Sequence, residues 1–524
     1  MALTLGLRCL HLVLALIGLI VTVLGETSSA TSSNSPSQGL VLEQSAEVDA
    51  TNQVQLVHVT TLNVVRPQPQ GQVLCDAPSP REIQERERLL RKIARDDRAW
   101  DSKHPRWSIL EALLGFHRYR EITGAEIDRF DGLYKHVPKK HKKLLETTIQ
   151  YHKTFAQARS LLDHNAKICE AIVETALDFY NISQSELDGF VNSTEIKPGY
   201  RMSVSQGLKH MVRDWSVEGQ TERNATFPYI VNALAQDMKL SQKDGTGIGP
   251  YRVLVPGSGL GRLAHDIDHQ LRSIGNVAVT LNEYSAYMNI AYRYIASRGC
   301  IRFGSTSASD SSTTPIFHDD GVSSLSTSNI DVGFGSSSHP DTEKSLQSLP
   351  LPRPGSVSFP FTIYPFVETW SHARTRHELF RPVVIPDAGS PIHSSGPVLV
   401  EGDFTREFAH EPSQYDAIAT LFFIDTARNL ILYLETIHTL LKPGGVWVNV
   451  GPLLYGSAPW VQLSLDELIT VAEAMGFEFE VHNREEKEVM YNFNASALWR
   501  NGYVAQYWVA RKKDDKKTRK MGLW

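Results

Sequence analysis

The stretch VLVPGSGLGRLAHDI, residues 253–267, passes from an apolar run through three alternating glycines, Gly257, Gly259 and Gly261, into a helix. Such a turn lets a ligand approach bare backbone, which side chains at these positions would block. Acidic residues follow at regular stations. Glu283 ends the apolar segment VAVTLNE and is placed to accept from two ribose hydroxyls. Asp403 and Phe404 end GPVLVEGDF, one offering a carboxylate to an exocyclic amine and the other a ring to a base. Asp425 ends YDAIATLFFID, and Lys442-Pro-Gly-Gly445 precedes the strand VWVNVGPLL.

The glycines fall one residue short of the dinucleotide spacing G-x-G-x-x-G, closer to the first motif of methyltransferases that use S-adenosylmethionine (SAM). SAM carries no phosphate, so it needs close backbone more than a helix N-terminus. Many such enzymes place an acid two residues before the first glycine, where this chain has Val255.

The segments LVPGSGLGRLAHDI, NEYS, GDF, FFIDTARN and LKPGGVWVNVGPLLY together resemble the carnosine N-methyltransferase family. So do ILEALLGFHRYR, DHNAKICEAIV and VRDWSVEGQTER in the helical part, and the likeness spans roughly residues 100–515. It implies a class I fold with a helical N-terminal region, SAM as cofactor, and methylation of an imidazole nitrogen of carnosine to give anserine. By resemblance Gln220 and Arg223 are cofactor contacts, with Arg223 suited to the methionyl carboxylate. The backbone near Leu421 completes the cleft, and Asp425 binds the acceptor. A carboxylate taking the imidazole N–H fixes the tautomer and turns the lone pair toward the methyl donor. The residue types also allow Asp425 to cap the helix that follows. Tyr503 matches one of two tyrosines that frame the imidazole, while Asn501 stands at the other. The family has a histidine after GPLLY; here it is Gly456.

The elements that must hold these residues alternate. From residue 201 to 515, helices and strands follow one another, which predicts an α/β fold, a Rossmann-like class I methyltransferase sheet. Residues 81–200 repeat apolar positions at helical spacing and read as an N-terminal helical domain. Residues 303–357 are Ser-rich and read as a disordered insertion, and 516–524 as a basic tail. Residues 9–24 are uncharged and apolar, so 1–25 read as a signal peptide or signal-anchor, followed by a flexible linker over 26–80. Sequons at Asn181, Asn192, Asn224 and Asn494 fit that route. The expected location is the secretory or endomembrane system, or the cytosol if the N-terminal segment is not used. A net charge of -5 gives no case for nucleic acid, and four scattered cysteines give none for a metal. The expected partners are a small peptide acceptor, a membrane through residues 9–24, and a second copy of the chain. Two other readings remain open at this level: a SAM-binding protein with an altered acceptor site, motivated by Gly456 and Asn501, and a nicotinamide-dependent oxidoreductase.

Overall fold

The computed structural model describes residues 46–48, 54–56, 78–95, 101–243, 249–303, 360–387, 396–456, 458–491, 494 and 497–513. The apolar segment at 9–24, the Ser-rich stretch after Phe303 and the basic tail lie outside the described residues. Among the described residues no helix is long and apolar enough to cross a membrane. The chain divides into two compact units, residues 1–72 and 73–524. In the first, within the segment read as a linker, β1 (Ala46–Val48) pairs antiparallel with β2 (Val54–Leu56).

The second unit is built on an eight-stranded sheet. Its strands are β3 (Tyr251–Pro256), β4 (Val277–Glu283), β7 (Val398–Glu401), β8 (Tyr415–Leu421), β9 (Leu441–Gly451), β10 (Phe477–Phe479), β11 (Glu485–Met490) and β12 (Gly502–Lys512). They run in the order β10-β12-β9-β8-β3-β4-β7, with β11 also paired to β12. A separate small pair joins β5 (Phe361–Ile363) to β6 (Val383–Ile385). Strands β7, β4, β3, β8 and β9 are parallel, and the pairings of β12 are all antiparallel. The sheet is therefore mixed rather than wholly parallel. From β3 the chain first builds outward through β4 and β7, then reverses to β8. That reversal leaves a crevice at the carboxyl ends of β3 and β8, where open α/β sheets bind ligands.

Both faces are covered, so the central strands read as continuous apolar runs rather than alternating ones. Successive residues nonetheless serve opposite cores. Val253, Val255, Ala417, Ala419, Val446 and Val448 pack with the helical region. Leu254, Ile418, Trp447 and Trp508 pack with the helices Leu430–Leu440 and Leu465–Ala474 on the other face. The first core also takes in Leu89, Leu113, Ile172 and Leu208, so the helices before residue 200 share a core with the sheet. The boundary expected at 200/201 falls inside one helix, Pro198–Trp215.

The sheet edge at β7 is closed by the helix Pro80–Lys92. Lys92 donates to the Glu401 carbonyl at 3.0 Å, and Arg88 pairs with Glu407 at 2.9 Å. This covers backbone that would otherwise template another strand. Beside it, buried Glu401 accepts from Tyr180 and Arg293.

Three local expectations shift. Strand β8 ends at Leu421, not Asp425, because Phe422 adopts a left-handed backbone with φ 50°. Asp425 lies in the short turn Ile424–Thr426. The Lys442-Pro-Gly-Gly445 segment belongs to β9, where it makes a bulge against β8 rather than a helix end. The stretch expected as one strand before β12 divides into β10 and β11.

Candidate functional site

The glycine turn leaves β3 and enters the helix Arg262–Arg272. Gly257, Gly259 and Gly261 all have left-handed backbones, with φ 62°, 56° and 81°. Only glycine takes these values without steric cost. A Cβ on Gly257 would lie 2.2 Å from the Phe423 ring, and one on Gly261 2.7 Å from Tyr292. Both positions are closed to any side chain.

The turn is anchored by carboxylates. Gly259 N–H donates to Glu283 at 2.9 Å, and Ser285 N–H donates to its other oxygen at 2.7 Å. Leu260 N–H donates to Asp214 at 3.3 Å, while the Trp215 indole donates to the Leu260 carbonyl at 2.8 Å. Burial pushes the Glu283 carboxyl above its usual value, against the pull of these amides. Tyr284, next in sequence, is 77% exposed and offers an open ring at the same rim.

Gln220 and Arg223 lie on the helix before β3, and Arg223 lines a small cavity with Arg213, Leu421 and Phe422. Gln220 is exposed at the start of the helix Gln220–Lys243. Arg223 donates to the carbonyls of Arg213 and Ser216, at 2.6 and 2.9 Å, and to Asp387 at 2.9 Å. It closes the C-terminal end of Pro198–Trp215, where free carbonyls need donors. The guanidinium nearest the turn is Arg213, whose Nη2 lies 3.4 Å from the Cβ position of Gly259. Two bonds to Asp214, of 2.7 and 3.3 Å, hold it there. Burial works against both charges, but each holds the other ionised: Asp214 is kept below the usual carboxylate value and Arg213 above its own.

His210 stands one helical turn earlier, its Nδ1 3.6 Å from the same Cβ position. That nitrogen and the Ser258 hydroxyl are buried with no hydrogen-bond partner among the described residues. Burial, reinforced by Arg213, pushes His210 down to about 3, so its ring is neutral. Sequence reasoning passed over His210 and Arg213. Arg213 lies within VRDWSVEGQTER and His210 just before it, on a helix whose approach to the glycine turn no local pattern shows.

Asp403 caps the four-residue helix Phe404–Glu407, accepting from the Thr405 N–H at 3.0 Å, with its side chain 39% exposed. Phe404 is 3% exposed, its ring centroid 5.6 Å from both Phe423 and Tyr433. Its ring packs into the core beneath the end of β7.

On the acceptor side, Asp425 is 5% exposed and accepts from the Leu454 N–H at 2.8 Å. Burial raises its carboxyl above the usual value. It does not cap the next helix, whose N-cap is Asn429. Among the described residues no side-chain donor reaches it, so the carboxylate keeps capacity for a ligand N–H. Leu421 and Phe422 line a small cavity with Arg213 and Tyr491. Tyr503 lies 6.0 Å from the Phe422 ring and 5.9 Å from Tyr491, centroid to centroid. Tyr491, unmarked in the sequence, thus supplies a second tyrosine beside Tyr503, and its hydroxyl meets Arg213 at 3.5 Å. Gly456 is exposed with open space around it.

These residues fit SAM: a glycine turn that excludes any Cβ, a rim carboxylate in Glu283, a cation in Arg213, and two orphaned polar atoms facing the turn. The family model described as carnosine N-methyltransferase matches residues 193–301 and 355–514. The carnosine N-methyltransferase of Mus musculus is 26% identical over 434 residues, covering 80% of this chain and 89% of its own. That of Schizosaccharomyces pombe is 27% identical, covering 76% of this chain and 94% of its own. A solved phosphoethanolamine N-methyltransferase 2 of Haemonchus contortus, in complex with SAM, is 11% identical with a TM-score of 0.24, over 53% of this chain and 52% of its own.

Proposed function

The chain belongs to the carnosine N-methyltransferase family, a SAM-dependent N-methyltransferase by that membership, and we propose that its acceptor is an imidazole nitrogen of carnosine or a closely related small peptide. The observation that carries this reading is Asp425: a buried carboxylate held by one backbone N–H, three residues after Phe422, whose ring packs with Tyr491 and Tyr503.

SAM, when bound, supplies an electrophilic methyl group on a sulfonium. The protein's part is positioning, which contributes much of the rate of an in-line displacement. Arg213 takes the methionyl carboxylate, and Glu283 the ribose hydroxyls. Asp425 accepts the imidazole N–H, so the ring presents its lone pair to the methyl carbon. As the N–C bond formed and the methyl–sulfur bond broke, the positive charge would pass from sulfur to the ring; Asp425 would stabilise it and accept the N–H proton, which would then leave to solvent. Tyr491 and Tyr503 hold the ring plane. Tyr491 supports the acceptor reading despite Asn501, because a second tyrosine is present from another strand.

The test is methyl transfer from labelled SAM to carnosine by the full chain, alongside Asp425→Asn. Label on carnosine is expected, with a loss of about a hundredfold or more in the variant and S-adenosylhomocysteine binding retained. Wild-type rates from Asp425→Asn would sink the assigned role. Cofactor binding without transfer to any peptide would favour a binding protein.

A further inference from the structure

Behind Arg213 lies a cavity of about 230 Å³ that contains none of the glycine-turn residues. It is enclosed by the Pro198–Trp215 helix, the segment 366–381 and the loop between β11 and β12. This cavity and the small one beside Phe422 and Tyr491 share the side chains of Arg213 and Glu222 as lining.

Its walls carry charged groups of both signs. Glu378 Oε2 is buried and has no hydrogen-bond partner among the described residues. Lys209, half-buried with Glu368 acting on its charge, also lines the cavity without a hydrogen bond among the described residues, and Arg374 lines it from an exposed position. A buried polar atom left unpaired costs about 1–3 kcal/mol, more when charged, so such atoms are normally satisfied or reserved for a ligand. The lining is also held in a costly conformation. His372 has a left-handed backbone, φ 61°, and its carbonyl accepts the Leu498 N–H at 2.8 Å. That contact and the Ala373–Ala497 bridge fasten the loop across the cavity. Non-glycine residues keep such backbones only where their surroundings over-determine them.

We propose that this cavity binds the charged ends of a zwitterionic peptide acceptor, its ammonium against Glu378 and its carboxylate against Lys209 and Arg374. The proposal rests on the acceptor reading above. A ligand with one charge would satisfy one wall only, and an apolar one neither. The site would select free small peptides over imidazoles embedded in a longer chain.

The experiment compares carnosine with carnosine acetylated at its amine and amidated at its carboxyl, as acceptors for the full chain. Wild-type enzyme should prefer carnosine by tenfold or more in kcat/KM. Lys209→Met and Glu378→Gln should each lower that preference about tenfold, mainly through the KM for carnosine. Equal use of the two peptides by the wild type, or a preference untouched by both substitutions, would overturn the inference and leave the acceptor reading standing. A rise in the KM for SAM, with the peptide preference intact, would assign the cavity to the cofactor and overturn it too. Failure to methylate either peptide, with cofactor binding intact, would overturn the acceptor reading itself and this inference with it.

Discussion

Arg213 is fixed before any ligand arrives, by Asp214 on one side and the Tyr491 hydroxyl on the other. A preset guanidinium loses little freedom on binding a carboxylate, and such charged bonds contribute about 1.5–3 kcal/mol. Arg213→Gln should therefore weaken S-adenosylhomocysteine binding about tenfold to a hundredfold, measurable by calorimetric titration. His210 makes a separate prediction. Its folded pKa, about 3, lies below the ordinary histidine value, so the unfolded chain binds the extra proton first. The wild type loses stability through this residue as pH falls from about 6.5 toward 3. His210→Gln should lose less over that range, read as the change in Tm with pH. Asp425 runs the other way. Its pKa is raised, so the folded state holds the proton longer than the unfolded one. Stability is lost as pH rises from the ordinary aspartate value through the raised one. Asp425→Asn should then have a Tm at neutral pH equal to or above the wild type, an advantage that vanishes in acid, while transfer is abolished.

The elements of the site were unequally legible in the sequence. The glycine turn and Glu283 could be read because each marks a strand end, where the local pattern changes; Asp425 closes the same apolar run, although β8 itself stops at Leu421. The positions of Arg213, His210 and Tyr491 could not, since their place at the site depends on which helix and hairpin fold back over the sheet. The resemblance pointed to Arg223, which bonds a helix end and lines the same small cavity as Arg213. Phe422 gave no signal, because a left-handed phenylalanine breaks the residue preferences from which turns are read. The turn itself yields a sharp expectation. Gly257→Ala would drive a methyl group into the Phe423 ring at a backbone angle that disfavours any side chain. The cost should be about 2–4 kcal/mol from overpacking and backbone strain together. It should appear as a lowered denaturation midpoint and as lost cofactor binding.

At the scale of the whole molecule, the alternation of strands and helices after residue 201 was legible, and so was the helical character of what precedes it. What local pattern could not show is that Leu113, Ile172 and Leu208 share one core with Val253 and Val448. Amphipathic periodicity says that a face is buried, not against what. A chain shortened to begin at residue 201 should accordingly be insoluble or bind apolar dyes, whereas residues 73–524 should show coincident unfolding by far-UV circular dichroism and tryptophan fluorescence. Asp387 works at the same scale, its carboxylate pairing with Arg223 and Arg262, each at 2.9 Å. Asp387→Ala removes a shared anion from two buried cations and should cost about 3 kcal/mol or more in denaturant unfolding.

The position of Arg213, between the glycine turn and the larger cavity, has a thermodynamic corollary. One side chain that faces both ligands cannot be displaced by one without altering the affinity for the other. By linkage the factor is reciprocal: whatever carnosine does to the dissociation constant of S-adenosylhomocysteine, S-adenosylhomocysteine does equally to that of carnosine. On the acceptor reading proposed above, the affinities for cofactor and acceptor therefore rise or fall by one shared factor.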